Sequence, residues 1–202
     1  MGLNKKINIE NLKENRAFYE AREKLRDDMT SGIVKWVFEI IVTLVFAVLV
    51  AISAFQTVTL QESAMEPTYS VSEKFFVNRA LYKISSPKRG DVIVFKTSAS
   101  DSAALHIRRV IGLPGETVQV KDGKIYINGK VYEENGAYQD MTDGGLANSA
   151  ITLESGEYFV LGDNRNNSED SRFSDIGNIS KKYIVGKVWF TVSPKNKIGF
   201  IK

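Results

Sequence analysis

With 202 residues, 43% of them hydrophobic and 25% charged, the chain carries enough apolar content to bury a core. A net charge of only +3, with no long basic stripe, argues against a nucleic-acid partner. There is no cysteine and His106 is the single histidine, which excludes disulfide frameworks, thiolate chemistry and multi-histidine metal clusters, so no metal or other cofactor is expected.

Residues 1–31 form a leader dense in charges of both signs. Leu12, Phe18, Tyr19 and Leu25 give it a weak helical stripe, which predicts a solvated or interfacial helix. Residues 32–55, GIVKWVFEIIVTLVFAVLVAISAF, follow. At about 1.5 Å per residue this run spans roughly the 30 Å hydrocarbon core of a bilayer. It carries no charge from Ile40 to Phe55. The leader and the apolar run are both too long for a cleavable signal peptide, and a core helix would show clearer polar faces. A transmembrane anchor is therefore predicted. Eight basic residues, from Lys5 to Lys35, precede its uncharged core, and the first basic residue after it is Lys74. The positive-inside rule then puts the N-terminus in the cytoplasm and residues 56–202 outside the cell membrane.

Beyond the anchor the pattern changes to β. VIVF, IRRVIGL, TVQV, KIYINGKVY, YFVLGD and KVWFTV are short β-branched or aromatic runs bounded by Gly, Asp, Asn and Pro. KIYI and KVYEE flank Asn128-Gly129, a strong two-residue hairpin signal. The segment from Asn135 to Ala150 is polar and rich in glycine, and reads as an exposed loop. Gly112, Pro114 and Gly115 read as a strand running into a tight turn. A mostly antiparallel β domain is expected, with no internal repeat.

Four separated stretches stand out in that domain: SAMEPT (Ser63 to Thr68), RGDVIVF (Arg89 to Phe95), HIRRVIGLPGE (His106 to Glu116) and GDNRNNSEDSR (Gly162 to Arg172). In this order, behind one N-terminal anchor, they resemble the bacterial type I signal peptidases of the Gram-positive kind. The resemblance implies a signal-peptidase-type β domain on a single transmembrane helix. It also implies a Ser/Lys serine endopeptidase that removes signal peptides from exported preproteins. In that family the nucleophilic serine directly precedes the Met of the first box, and the lysine opens the K-R-hydrophobic-hydrophobic-G-x-P-G pattern. Those two positions are Ala64 and Arg108 here. Alanine has no hydroxyl, and arginine stays protonated and cannot serve as a neutral base, so the chain is expected not to cleave by the family mechanism.

The resemblance assigns further roles. Ser168 would orient the base and would now face Arg108, against the plain alternative of a turn serine. Met65, Pro67 and Ile107 would shape or contact a bound peptide, which adds to the domain as a strand. Asp163, Arg165, Asp170 and Arg172 would form a structural ion-pair network with Arg109. The oxyanion hole would keep the Ala64 backbone N–H, while Glu62 occupies the position of a second donor. Two residues are candidates to replace the dyad. Ser63 in an extended segment would face away from the Ala64 side, and His106 would share a strand face with Arg108. The expected ligands are exported preproteins or, if the chain is a non-catalytic accessory in pilus assembly, pilins. Relation to the self-cleaving repressors is disfavoured by the anchor and by the lack of a DNA-binding helix pair.

Overall fold

The computed structural model describes residues 3–98, 100 and 103–201, with side chains from Arg16 onward except at 17 and 25. The chain divides at Ile52 into an N-terminal helix and a β domain. Leader and apolar run form one continuous helix, α1 (Leu3–Ala54), of 52 residues. In the expected stripe, the side chains of Leu12 and Leu25 lie outside the described residues. Phe18 and Tyr19 are 63% and 65% exposed and pack edge-on to each other. Within Phe18–Ala54 lie 18 consecutive residues with a mean hydropathy of 2.7, so the helix is long and apolar enough to cross a membrane. Its large apolar side chains, Trp36 and Phe38 among them, are bare. Phe55, read as the end of the anchor, instead begins a strand and stacks on Trp189 with ring centroids 5.3 Å apart.

The β domain is antiparallel throughout its two sheets. In the larger, β1 (Phe55–Thr59), β2 (Lys74–Asn78), β11 (Ile184–Ser193), β3 (Val92–Lys96), β4 (Leu105–Gly112), β9 (Glu157–Leu161) and β10 (Ile179–Ser180) lie in that order, with β12 (Gly199–Phe200) on β11. The smaller runs β7 (Lys130–Val131), β6 (Lys124–Ile127), β5 (Thr117–Lys121) and β8 (Ile151–Thr152). The six apolar runs read from the sequence all fall on strands. VIVF is continuous rather than alternating because β3 is buried on both faces: Val92 and Val94 join one core cluster, Ile93 and Phe95 another. A third cluster, around Ile111, Val118 and Phe159, binds the small sheet to the end of β4.

The turn chemistry behaves as its residues require. Asn128 and Gly129 both have positive φ, 52° and 77°, the type I′ geometry that matches strand twist. Asp122-Gly123 builds the same turn between β5 and β6. After β4, Leu113 to Glu116 closes a turn with Pro114 second and Gly115, φ 82°, third. The loop expected to be exposed is in fact anchored. It contains a short 3₁₀ turn at Gly145–Asn148, and Met141 and Ala147 are buried in the third cluster. Two apolar side chains spaced six apart supply this anchoring, without periodicity to announce it.

Candidate active site

Ala64 sits in a single 3₁₀ turn, Ser63–Met65, closed by Glu66 N–H donating to Ser63 O at 3.0 Å. Residues in such a turn advance by about 120° rather than the 180° of a strand, so the expected alternation of Ser63 and Ala64 does not hold. Ala64 is buried. Ser63 is half-buried, and its Oγ accepts a hydrogen bond from Asn167 Nδ2 at 3.1 Å. Both line one cleft of about 440 Å³ with Glu62, Asn167, Ser168 and Phe173. Ser63 therefore belongs to the Ala64 cleft, with its hydroxyl engaged by the far wall.

Across the site stands Arg108 on β4, registered against Ile93 of β3 and 0% exposed. Its guanidinium is committed in every direction. Nε donates to Glu169 O at 2.8 Å, Nη1 to Ile107 O at 2.8 Å and Nη2 to Glu62 Oε2 at 2.6 Å. His106, on the same strand face as expected, brings Nδ1 to 2.9 Å from the other oxygen, Glu62 Oε1. The His106 ring also stacks on Phe95 at 5.7 Å. Burial pushes the Glu62 carboxyl up, but the His106 contact and the Arg108 charge outweigh it and hold it at about 2. The residue in the place of a second oxyanion donor is thus a carboxylate, which accepts and cannot donate.

The remaining expected positions separate into three groups. Ser168 does not bond to Arg108, which takes the neighbouring carbonyl of Glu169; Ser168 Oγ is buried without a hydrogen-bond partner among the described residues. Met65 and Ile107, at 0% and 3% exposure, pack in the core beneath β1 to β4 and present no open surface, whereas Pro67 is exposed. Of the three, only Pro67 has an exposed side chain; Met65 and Ile107 could shape the site only from within the core. Met65 and Ile107 support the turn from behind, because an apolar side chain gains more in the core than at a polar cleft.

The ion-pair network is present with altered pairing. Arg109 clamps Asp163 through Nε and Nη2 at 2.8 and 2.6 Å, which raises the Arg109 pKa against the opposing effect of burial. Arg172 clamps Asp170 in the same way at 2.8 and 2.9 Å. Arg165 pairs with neither aspartate but with Glu134, at 2.5 and 2.6 Å, and stacks under Tyr138. Backbone carbonyls join the pairs: Arg165 Nε donates to Gly162 O, and Arg172 Nη2 to Arg165 O. Sequence reasoning missed Glu134, which stands at the edge of a polar stretch with nothing to mark it. It also missed the partnership of Glu62 with Arg108, 46 residues apart.

Gly162 fixes the spacing of the whole site. A Cβ there would lie 2.1 Å from Ser168 Oγ and 2.5 Å from Ala64 O, so only glycine lets the two loops touch. Asn164 reinforces the contact, its N–H donating to Ala64 O at 3.0 Å. Chemically, the arrangement offers a polar cleft, an Ala64 methyl at the position expected for the nucleophile, and a cluster that draws the Arg108 guanidinium and the His106 ring to the two oxygens of Glu62.

Residues 33–193 match the family described as signal peptidase, peptidase S26. Signal peptidase I of Bacillus amyloliquefaciens is 36% identical over 186 residues, covering 87% of this chain and 96% of that one. Signal peptidase I of Bacillus licheniformis is 32% identical over 183 residues, covering 87% and 97%. Among solved structures, a signal peptidase I from Enterococcus faecalis V583 is 32% identical, covering 52% of this chain and 98% of that chain, with a TM-score of 0.42.

Proposed function

The chain belongs to the signal peptidase S26 family, and from that premise we propose that it is a membrane-anchored member that holds exported proteins at the Ala64 cleft without cutting them. Its α1 crosses the membrane with the basic leader in the cytoplasm and the β domain outside. The single observation that carries the reading is the state of residue 108. A general base needs a neutral, accessible nitrogen, whereas the Arg108 guanidinium is wholly buried and bonded to the Glu62 carboxylate and two carbonyls. Ala64 supplies no nucleophile to go with it.

The same cluster favours a natural non-catalytic role over recent removal of a dyad. A lysine at 108 would meet the Glu62 anion, which holds an ammonium charged and so opposes its use as a base. The site fits arginine, carboxylate and imidazole together. On this reading the ligand is an extended segment of an exported protein, with pilins as one class in an assembly role. Backbone pairing of such a segment needs no dyad.

The test uses the full chain in detergent with a preprotein whose signal peptide a relative removes. No cleavage is expected, and trimming at the usual boundary by protein free of other proteases would overturn the reading. Ala64→Ser with Arg108→Lys is expected to stay silent, and activity is expected only once Glu62→Thr is added. Full activity of the double variant would instead indicate a site stripped of two residues and otherwise intact. Capture from membranes that recovers no exported protein would remove the holding role.

A further inference from the structure

A second cleft, of about 1070 Å³, opens elsewhere in the β domain, between the start of β1, a short helix α2 (Leu81–Ile84) and the start of β11. Its lining includes Arg79, Lys83, Lys181 and Lys182, and no carboxylate among the described residues. Arg79, Lys83 and Lys182 are exposed. Lys181 Nζ is aimed by Ser85 O at 2.8 Å and Ser86 Oγ at 3.2 Å, and Lys182 Nζ sits 4.8 Å over the Tyr183 ring. Elsewhere in this domain three basic side chains are held by acids: Lys187 by Asp91, Lys197 by Glu73 and Arg89 by Glu116. Gathered like charges repel, so this concentration, in a chain of net charge +3, suits an anion.

Two features identify its source. Ile84, next in sequence to Lys83, is 90% exposed, an apolar side chain beside amines that a free inorganic anion would leave in water. Gln56, also in the lining, lies two residues past the end of α1, which places it within about 7 Å of Ala54. Arg79 is tied to the same place, its N–H donating to Ala54 O at 2.8 Å. Basic groups flanking a bare apolar residue at a membrane exit have the chemistry of a lipid interface.

We propose that this cleft seats the phosphate of an anionic phospholipid in the membrane that α1 crosses. The proposal rests on the anchored reading above and is independent of whether the Ala64 site cuts. The full chain is placed in nanodiscs of phosphatidylcholine alone or with phosphatidylglycerol, and amine labelling is read by mass spectrometry at each lysine. Lys130, exposed on β7 of the smaller sheet, is the reference. Phosphatidylglycerol is expected to lower labelling of Lys83 and Lys182 and to leave Lys130 unchanged. Lys83→Gln is expected to weaken the protection of Lys182 by about five-fold, the effect of one basic side chain at an anionic surface. Equal labelling in both discs, or equal protection of Lys130, would overturn the site. So would protection by orthophosphate in phosphatidylcholine discs, which would mark a free-phosphate site instead. Failure of the chain to enter discs would take the anchor down with it.

Discussion

Arg108 and Arg109 are adjacent on β4, both buried, and they dispose of their charges in different ways. Arg109 meets Asp163 through two parallel hydrogen bonds, and the Asp163 side chain is itself shut off from water. Arg108 meets one oxygen of Glu62, whose side chain is 35% exposed and whose other oxygen faces His106. The first is a closed structural clamp. The second is an accommodation at the mouth of a cleft, in the place where the family's chemistry would stand. A strand that alternates faces can thus run a scaffold on one side and a site on the other.

Removing each partner should separate them. Asp163→Ala strands a buried guanidinium and is expected to cost about 3–5 kcal/mol in chemical denaturation. Glu62→Ala is expected to cost less, about 2–3 kcal/mol, since two carbonyls still bind Arg108 and water reaches the mouth. If the two losses were equal, the contrast would fail. Acid titration sharpens it further. The Glu62 carboxyl is depressed from 4.5 to about 2 in the fold, so its contribution is complete above 4.5 and disappears as pH falls toward 2. After allowance for solvent at the cleft mouth, that contribution is about 1–2 kcal/mol. Glu62→Gln should flatten this part of the stability-versus-pH curve. The smallest effect is expected for Arg108→Met, within about 1 kcal/mol of the parent, because an apolar side chain fills the buried volume and the Glu62 carboxylate left behind stands at the cleft mouth, where water reaches it. A drop of several kcal/mol would show that the site pair is as structural as its neighbour.

Much of the fold was legible because its signals are local. Asn128-Gly129 dictates its own turn, VIVF reports a strand, and the uncharged run up to Ala54 reports a helix. Strands β1 and β2 were not recognised, since FQTVT follows directly on the apolar helix and KFFVN lies in a polar setting; each becomes a strand by pairing with the other and with β11. In the site, His106 and Arg108 could be placed on one face by counting. The carboxylates they and Arg165 use could not. Glu62 and Glu134 are chosen by distance in space, across 46 and 31 residues of chain, and no spacing rule reaches that far. The facing of Ser63 was misjudged because one turn of 3₁₀ helix interrupts the extended segment.

Gly162 bears on what holds the cleft in shape apart from any reaction. The missing methyl there holds a strand end and a distant turn in contact through the Ala64 carbonyl, a join that involves neither attacking atom nor proton carrier. The contour of the cleft is therefore maintained by close packing and by the Asn164 hydrogen bond, and on the proposed reading a lineage that abandons hydrolysis keeps the mould in which an extended segment lies.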